Sequence, residues 1–272
     1  MQEKVNQAVE YIKSKVNFTP SVALVLGSGL GDFAESVENK IIVPYEDVPN
    51  FPRSTVQGHK GRFVFGQVNG QNVCVMQGRV HYYEGYPMHE VVFPEYVMAA
   101  LGIKTLILTN AVGSMNPNYG INSLVSIKDH INFTGYNPLI GSHYSYTGVR
   151  FLSLNNLYDK DLRQLAQEVA KQENITLHEG VFAQTSGPTY ESPAEVRMFR
   201  SLGVDTCGMS TAIEAIAGSH AGMKVLAISN VSNVAAGLTD VAPTHEEVLA
   251  NSQAVKGDFQ RLLAKIIEKI NK

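Results

Sequence analysis

Val22-Ala-Leu-Val-Leu26 is an unbroken apolar run that passes directly into Gly27-Ser-Gly-Leu-Gly31. A short apolar run without polar alternation reads as a buried strand, and a glycine-rich turn at its end is where α/β sheets place sites. Ahead of it, Val5, Val9, Ile12 and Val16 keep helical spacing until Thr19-Pro20 ends the helix. Residues 62 to 68 and 71 to 77 read as two strands joined by Asn69-Gly70, the strongest short hairpin signal. The second strand delivers Gln77-Gly78-Arg79.

Further along, the pattern predicts a helix from about Met88 to Leu101 and a strand Thr105–Thr109 ending in Asn110-Ala-Val-Gly-Ser114. Residues 132 to 157 are rich in Gly, Tyr, Asn and Ser without periodicity, which predicts a mobile functional or interface loop. From Asp159 the order is helix, strand (177 to 184), helix (193 to 202), short strand, helix (211 to 221), strand (224 to 230). A final helix runs from about Thr244 to the C-terminus. Ser192, Thr211 and Thr244 each precede a Glu by three residues, the capping-box pattern, which sets Glu191, Ser210 and His245 at or beside helix N-termini that favour anions. No linker or repeat interrupts the 272 residues, so one α/β domain, 1–272, is expected.

Composition narrows the partners. The chain carries 22 Lys+Arg against 25 Asp+Glu, a net charge of −3, so no global field draws it to nucleic acid or an anionic membrane. Charged residues are 17% of the total, below the usual ~25%, which fits surface covered in an oligomer. The longest uncharged stretch, 105 to 127, is interrupted by Asn, Gly, Ser and Pro, and so lacks the ~20 apolar residues of a bilayer span. Cys74 and Cys207 sit in apolar runs away from metal-ligand spacing, and the first residues lack a signal-like apolar stretch, so a cytoplasmic protein is expected.

Several segments carry groups suited to chemistry. The turn at 27 to 31 either cradles phosphate with backbone N–H groups and Ser28 or is merely tight. It is not a dinucleotide fingerprint, because Asp32 takes the place of the third glycine. Arg79, His81 and Tyr83 would share one face of an extended segment, where the guanidinium fork and imidazole suit phosphate oxygens. His59 lies in a loop, and Asn110-Ala111 at a strand end could offer a backbone N–H. Tyr190 and Glu191 place an aromatic face beside an acceptor at a strand-to-helix corner. Asn233 offers both a donor and an acceptor, enough to read a purine edge or to make a turn.

In this order, Gly27-Ser-Gly-Leu-Gly31, Gly58-His-Lys-Gly61, Gln77-Gly-Arg-Val-His-Tyr-Tyr-Glu-Gly-Tyr86, Asn110-Ala-Val-Gly113, Gly187-Pro-Thr-Tyr-Glu191, Gly208-Met-Ser-Thr211, Ser232-Asn233 and His245-Glu-Glu-Val248 resemble the trimeric purine nucleoside phosphorylases. The resemblance spans almost the whole chain. It implies a mixed, twisted, partly barrel-like sheet flanked by helices, and reversible phosphorolysis of inosine, guanosine and their deoxy forms in purine salvage. It implies inorganic phosphate as co-substrate, no metal, no organic cofactor and a homotrimer. Position by position it assigns phosphate to Ser28, His59, Arg79, His81, Ala111 and Ser210. Ribose falls to Tyr83, Met209 and His245, and the base to Tyr190, Glu191, Met209 and Asn233. Asn233, His81 and Glu191 are the expected catalytic set. The family's ribose pocket takes an aromatic from a neighbouring subunit; Thr147 falls near that place, with Tyr144 and Tyr146 beside it.

Overall fold

The computed structural model describes residues 1–56, 58–141, 148–239 and 244–270. Its strands are β1 (Val22–Leu26), β2 (Glu38–Pro44), β3 (Arg62–Val68), β4 (Gln71–Gln77), β5 (Thr105–Ser114), β6 (Leu124–Asn132), β7 (Leu177–Gln184), β8 (Thr206–Gly208) and β9 (Lys224–Val234). The helices are α1 (Gln2–Lys15), α2 (Met88–Val91), α3 (Phe93–Ala100), α4 (Lys160–Gln172), α5 (Pro193–Ser201), α6 (Ala212–His220), α7 (His245–Ala254) and α8 (Lys256–Lys269).

All nine strands join one mixed sheet, ordered β2-β3-β4-β1-β5-β8-β7-β6-β9, and β5 also pairs with β9. That last pairing closes β5, β8, β7, β6 and β9 into a small barrel, from which β1, β4, β3 and β2 extend as an open wing. β5 makes the junction: Thr105–Leu108 lie beside β1, while Gly113 and Ser114 pair with β8. The expected partly barrel-like sheet is therefore present, and its switch point lies where β5 leaves β1 for β8.

Both faces of the wing are covered, so its inner strands are apolar throughout. In β1, Ala23 and Val25 join the core under α1, α3 and α6, whereas Val22, Leu24 and Leu26 join the core under α4 and α8. This is the physical content of a strand with no polar alternation. The β3–β4 hairpin turns on Asn69 and Gly70, both at positive φ as a primed turn requires.

Several boundaries differ from expectation. The helix predicted over 88 to 101 is two helices, because Pro94 in the first turn of α3 lacks the N–H a continuous helix needs. The strand expected to stop at Thr109 continues to Ser114, so Asn110-Ala111 is inside a strand rather than at its end; pairing with β8 and β9 outweighs the turn-like composition. β9 likewise runs on to Val234 and contains Asn233. The last helix is divided at Val255, across which the apolar spacing continues unbroken, so composition could not reveal the break. β6 had no counterpart in the sequence reading. Between β6 and α4, the described residues 133–141 and 148–158 form neither helix nor strand, as expected.

Candidate active site

A cavity of about 330 Å³ opens at the barrel–wing switch point. Its walls bring together Ser28, Arg79, His81, Tyr83, Ala111, Tyr190, Glu191, Met209, Ser210 and Asn233 from segments scattered through the sequence.

One end is built to hold an anion. The chain leaves β1 through Gly27, where a Cβ would stand 2.7 Å from the Thr109 carbonyl oxygen; only glycine lets the turn cross β5 this closely. Gly29, at φ +77, lies against Ser252 of α7. Arg79, 2% exposed, donates from Nε to Glu214 at 2.8 Å and from one terminal nitrogen to the Thr109 carbonyl at 2.5 Å. Its other terminal nitrogen, NH2, is buried without a partner, as are both polar atoms of the Asn110 amide. Buried donors left unpaired are costly, so such groups mark where a polar ligand would complete the set. The guanidinium thus does not offer the whole fork the sequence suggested, because two of its five N–H donors are spent on Glu214 and the Thr109 carbonyl.

His81 is oriented by Glu84. The Glu84 carboxylate accepts from the His81 N–H at 2.6 Å and lies 3.2 Å from Nδ1, while its other oxygen accepts from the N–H and hydroxyl of Thr55, each at 2.6 Å. Burial alone would raise this carboxyl, but these hydrogen bonds outweigh it and hold it at about 2. The His81 ring stacks on Tyr83, centroids 4.7 Å apart, although residues 82–84 form a 3-10 turn rather than the extended strand expected. Burial first and the nearby Glu84 charge second push the Tyr83 phenol to about 12, so it stays a neutral donor.

At the other end, three strands place Cys207, Gly113 and the base-reading candidate Asn233 in one row. Cys207 of β8 pairs with Gly113 of β5, which pairs with Asn233 of β9. A Cβ on Gly113 would sit 3.2 Å from the Asn233 amide nitrogen and 3.5 Å from the Cys207 sulfur. The missing side chain therefore spares the Asn233 amide a methyl group that would press on it. Asn233 Oδ1 accepts from Ser232 at 3.0 Å and keeps a second lone pair. Glu191 stands at the corner before Ser192, whose side chain caps α5, and Tyr190 beside it is 40% exposed. Gly187 packs so closely on Met209 and Tyr83 that a Cβ would lie 2.6 Å from the Met209 sulfur.

One expected residue stands apart. His59 does not line this cavity but an adjoining one, of about 320 Å³, that shares Ser28. Its ring stacks on His81 at 5.5 Å, Nδ1 lies 2.9 Å from the Arg79 carbonyl oxygen, and Nε2 is buried without a partner. Burial first and His81 second lower its pKa to about 4, which keeps it neutral. The backbone of His245 opens α7, but its side chain, like residues 142–147 with Tyr144, Tyr146 and Thr147, lies outside the described residues.

Sequence reasoning missed Glu214, Glu95, Asn110's side chain, Thr185 and Cys207. Glu214 was visible only as the third position of a capping box; its carboxylate also accepts from the Thr211 N–H at 2.5 Å. Glu95 of α3, 1% exposed, has an unpartnered oxygen, and burial followed by the Glu214 charge pushes its carboxyl well above the usual range. No local pattern signals a carboxyl that becomes buried only when α3 packs on the sheet.

The model of the phosphorylase superfamily matches residues 21–268. Purine nucleoside phosphorylase 1 of Geobacillus stearothermophilus is 49% identical over 98% of this chain and 98% of its own. Among solved structures, the purine nucleoside phosphorylase of Schistosoma mansoni in complex with inosine superposes with a TM-score of 0.94 at 39% identity, over 99% of this chain and 97% of that one. The same enzyme in complex with adenosine gives 0.94 at 40%, over 99% and 98%. A family model over most of the chain and near-half identity along its full length leave one assignment: the chain belongs to the phosphorylase superfamily and, within it, to the purine nucleoside phosphorylases.

Proposed function

We propose that the cavity carries out reversible phosphorolysis of 6-oxopurine nucleosides, inosine and guanosine and their deoxy forms, to free purine and (deoxy)ribose 1-phosphate in purine salvage. The observation that carries this is one cavity that brings together a guanidinium with an unpartnered nitrogen, Arg79, and a carboxylate and an amide able to read a purine edge, Glu191 and Asn233. Phosphate takes Arg79, with Ser28, His81, the Ala111 backbone and Ser210 around it and His59 supporting from behind. Asn110 adds an amide at the same floor.

The ribosyl centre lies between Tyr83 and Met209, and the resemblance adds His245 as a further ribose partner. Phosphate attacks the anomeric carbon as the bond to the purine breaks, with inversion there. The departing base accumulates negative charge, which a proton or strong hydrogen bond at N7 must quench. N7 takes a proton from solvent as the bond breaks, Asn233 Oδ1 accepts from the N7–H so formed, and Glu191 accepts from N1–H, while Tyr190 lies against the ring. The protein's contribution is positioning and preorganised charge. Adenine offers a bare acceptor at N1, leaving Glu191 unpaired, so buried polar mismatch favours 6-oxopurines by as much as ~10⁴.

We also infer a cytoplasmic homotrimer of single-domain subunits. None of the described helices is long and apolar enough to cross a membrane, and both cysteines are free and buried. Ile140, Val149 and Phe151, exposed by 71%, 60% and 91%, crowd the segment between β6 and α4, which supports burial against another subunit.

Incubation with inosine in the presence and absence of phosphate tests the reaction. Hypoxanthine and ribose 1-phosphate are expected only with phosphate. Binding without turnover, or phosphate-independent release of hypoxanthine, would overturn it.

A further inference from the structure

Glu191 has both carboxylate oxygens engaged from within the protein. The Thr185 hydroxyl donates to one at 2.9 Å, and the Cys207 thiol donates to the other at 3.2 Å. The two donors come from separate elements: Thr185 follows the end of β7, and Cys207 is the central residue of β8. Cys207 is 3% exposed, lines the cavity and occupies the row that continues through Gly113 to Asn233.

We propose that Thr185 and Cys207 form a two-point clamp that fixes the Glu191 carboxylate in the plane of the bound base, making Cys207 a positioning residue that sets purine selectivity.

The inference rests on the reading of Glu191 as the acceptor for purine N1–H. Glu191 sits in the irregular segment between β7 and α5, where backbone packing alone does not select one rotamer. A carboxylate free to swing would offer its oxygens to N1–H only part of the time, and could turn away to solvent when the base has no N1–H. Two donors from fixed positions remove both freedoms. The acceptor is ready for a 6-oxopurine and cannot escape the mismatch with a 6-aminopurine.

A thiol is a weak donor, but a bond to an ionised acceptor is strengthened. Sulfur acts here as the neutral S–H: burial first, then the Glu191 charge, push its pKa well above the usual thiol value. An ionised carboxylate has roughly four lone-pair sites. With one site on each oxygen taken by the clamp, the remainder face the cavity only as acceptors, so Glu191 has no donor with which to satisfy adenine N1.

The test compares Cys207→Val, Cys207→Ser, Thr185→Val and Glu191→Gln in the full chain, by kcat/KM for inosine and adenosine and by KM for phosphate. In Cys207→Val we expect kcat/KM for inosine to fall about tenfold, of the order of one charge-assisted hydrogen bond. Preference for inosine over adenosine should shrink by a similar factor, with KM for phosphate within about twofold of wild type. Cys207→Ser, which keeps a donor, should stay close to wild type. Thr185→Val loses only a hydroxyl from a partly exposed position and should move selectivity the same way.

Wild-type selectivity in both valine variants overturns the clamp, as does a serine variant that behaves like valine. Equal losses for inosine and phosphate would reduce Cys207 to a packing residue and also overturn it. Should Cys207→Val fail to fold, Thr185→Val with Cys207→Ser decides alone. Glu191→Gln separates the two readings. A loss above about a hundredfold for inosine there, with unaltered Cys207 and Thr185 variants, rejects only the clamp. Unchanged inosine turnover in Glu191→Gln rejects the base assignment itself.

Discussion

Arg79 is a buried cation held by a buried carboxylate, Glu214. Its pairing with Glu214, both nearly inaccessible, neutralises a buried charge beside the cavity and leaves one terminal nitrogen without a partner. Removing one member of such a pair leaves an uncompensated charge and costs about 3–5 kcal/mol, so Arg79→Ala will lower stability as well as activity. The activity loss should be selective: KM for phosphate is expected to rise at least tenfold more than KM for inosine, measured at fixed saturation of the other substrate. Equal increases would remove Arg79 from the phosphate site. His59 gives a pH prediction. Its folded pKa is near 4 against a reference of 6.5. The stability linked to this depression is fully present above about 6.5 and is lost as pH falls toward about 4, because the unfolded chain takes up the proton first. Thermal melts should show His59→Gln losing less stability than wild type between pH 7 and pH 4.5. Ser28, Arg79, His81 and Glu191 were all legible as polar groups in glycine-rich or capping contexts. Cys207 and Glu95 were not, because an isolated Cys or Glu in an amphipathic stretch looks the same whether it packs on a carboxylate or faces water.

Elements position these side chains through backbone register, and Gly113 shows how. It stands between Cys207 and Asn233 on neighbouring strands and lines the cavity, where a side chain would press on the Asn233 amide. Gly113→Ala would place a methyl group there, 3.2 Å from the Asn233 amide nitrogen. The expected result is at least tenfold lower kcat/KM for inosine with KM for phosphate little changed; steady-state kinetics on both substrates would detect the opposite. α7 is a second positioning element. Its cap, Thr244, accepts from the Glu247 N–H at 3.2 Å and the Glu247 carboxylate reaches back to the Thr244 N–H at 3.3 Å. Thr244→Ala should cost about 1 kcal/mol, seen as a melting point lowered by roughly 2–4 °C. This helix carries Val248 on the cavity wall and Ser252 against Gly29, so loosening it should also weaken phosphate binding. The capping boxes and the Asn69-Gly70 hairpin could be read directly because they depend on residues adjacent in sequence. The extension of β5 beyond Thr109 could not, since it is stabilised by β8 and β9, which lie about a hundred residues away.

At the scale of the whole molecule, barrel closure through β5–β9 brings residues 27 to 28, 79 to 83, 110 to 113, 188 to 191, 207 to 210 and 232 to 233 to one cavity. The apolar surface at Ile140, Val149 and Phe151 belongs to the same scale. Sedimentation should give a particle of about three times 29.7 kDa, and Phe151→Asp should shift it toward one subunit with a parallel fall in activity; a monomeric, fully active wild type would refute the trimer. By itself the sequence determined the buried strands, the hairpin, the helix caps and the resemblance that names the family, all of which rest on neighbouring residues or on ordered motifs. Tertiary structure alone decided that Arg79 spends two of its donors on Glu214 and Thr109, that His59 lies behind His81 rather than in the cavity, and that Thr185 and Cys207 grip Glu191. The physical reason is that hydrogen bonds and desolvation act over a few ångströms in space, and the sheet sets those distances between residues whose separation along the chain carries no trace of them.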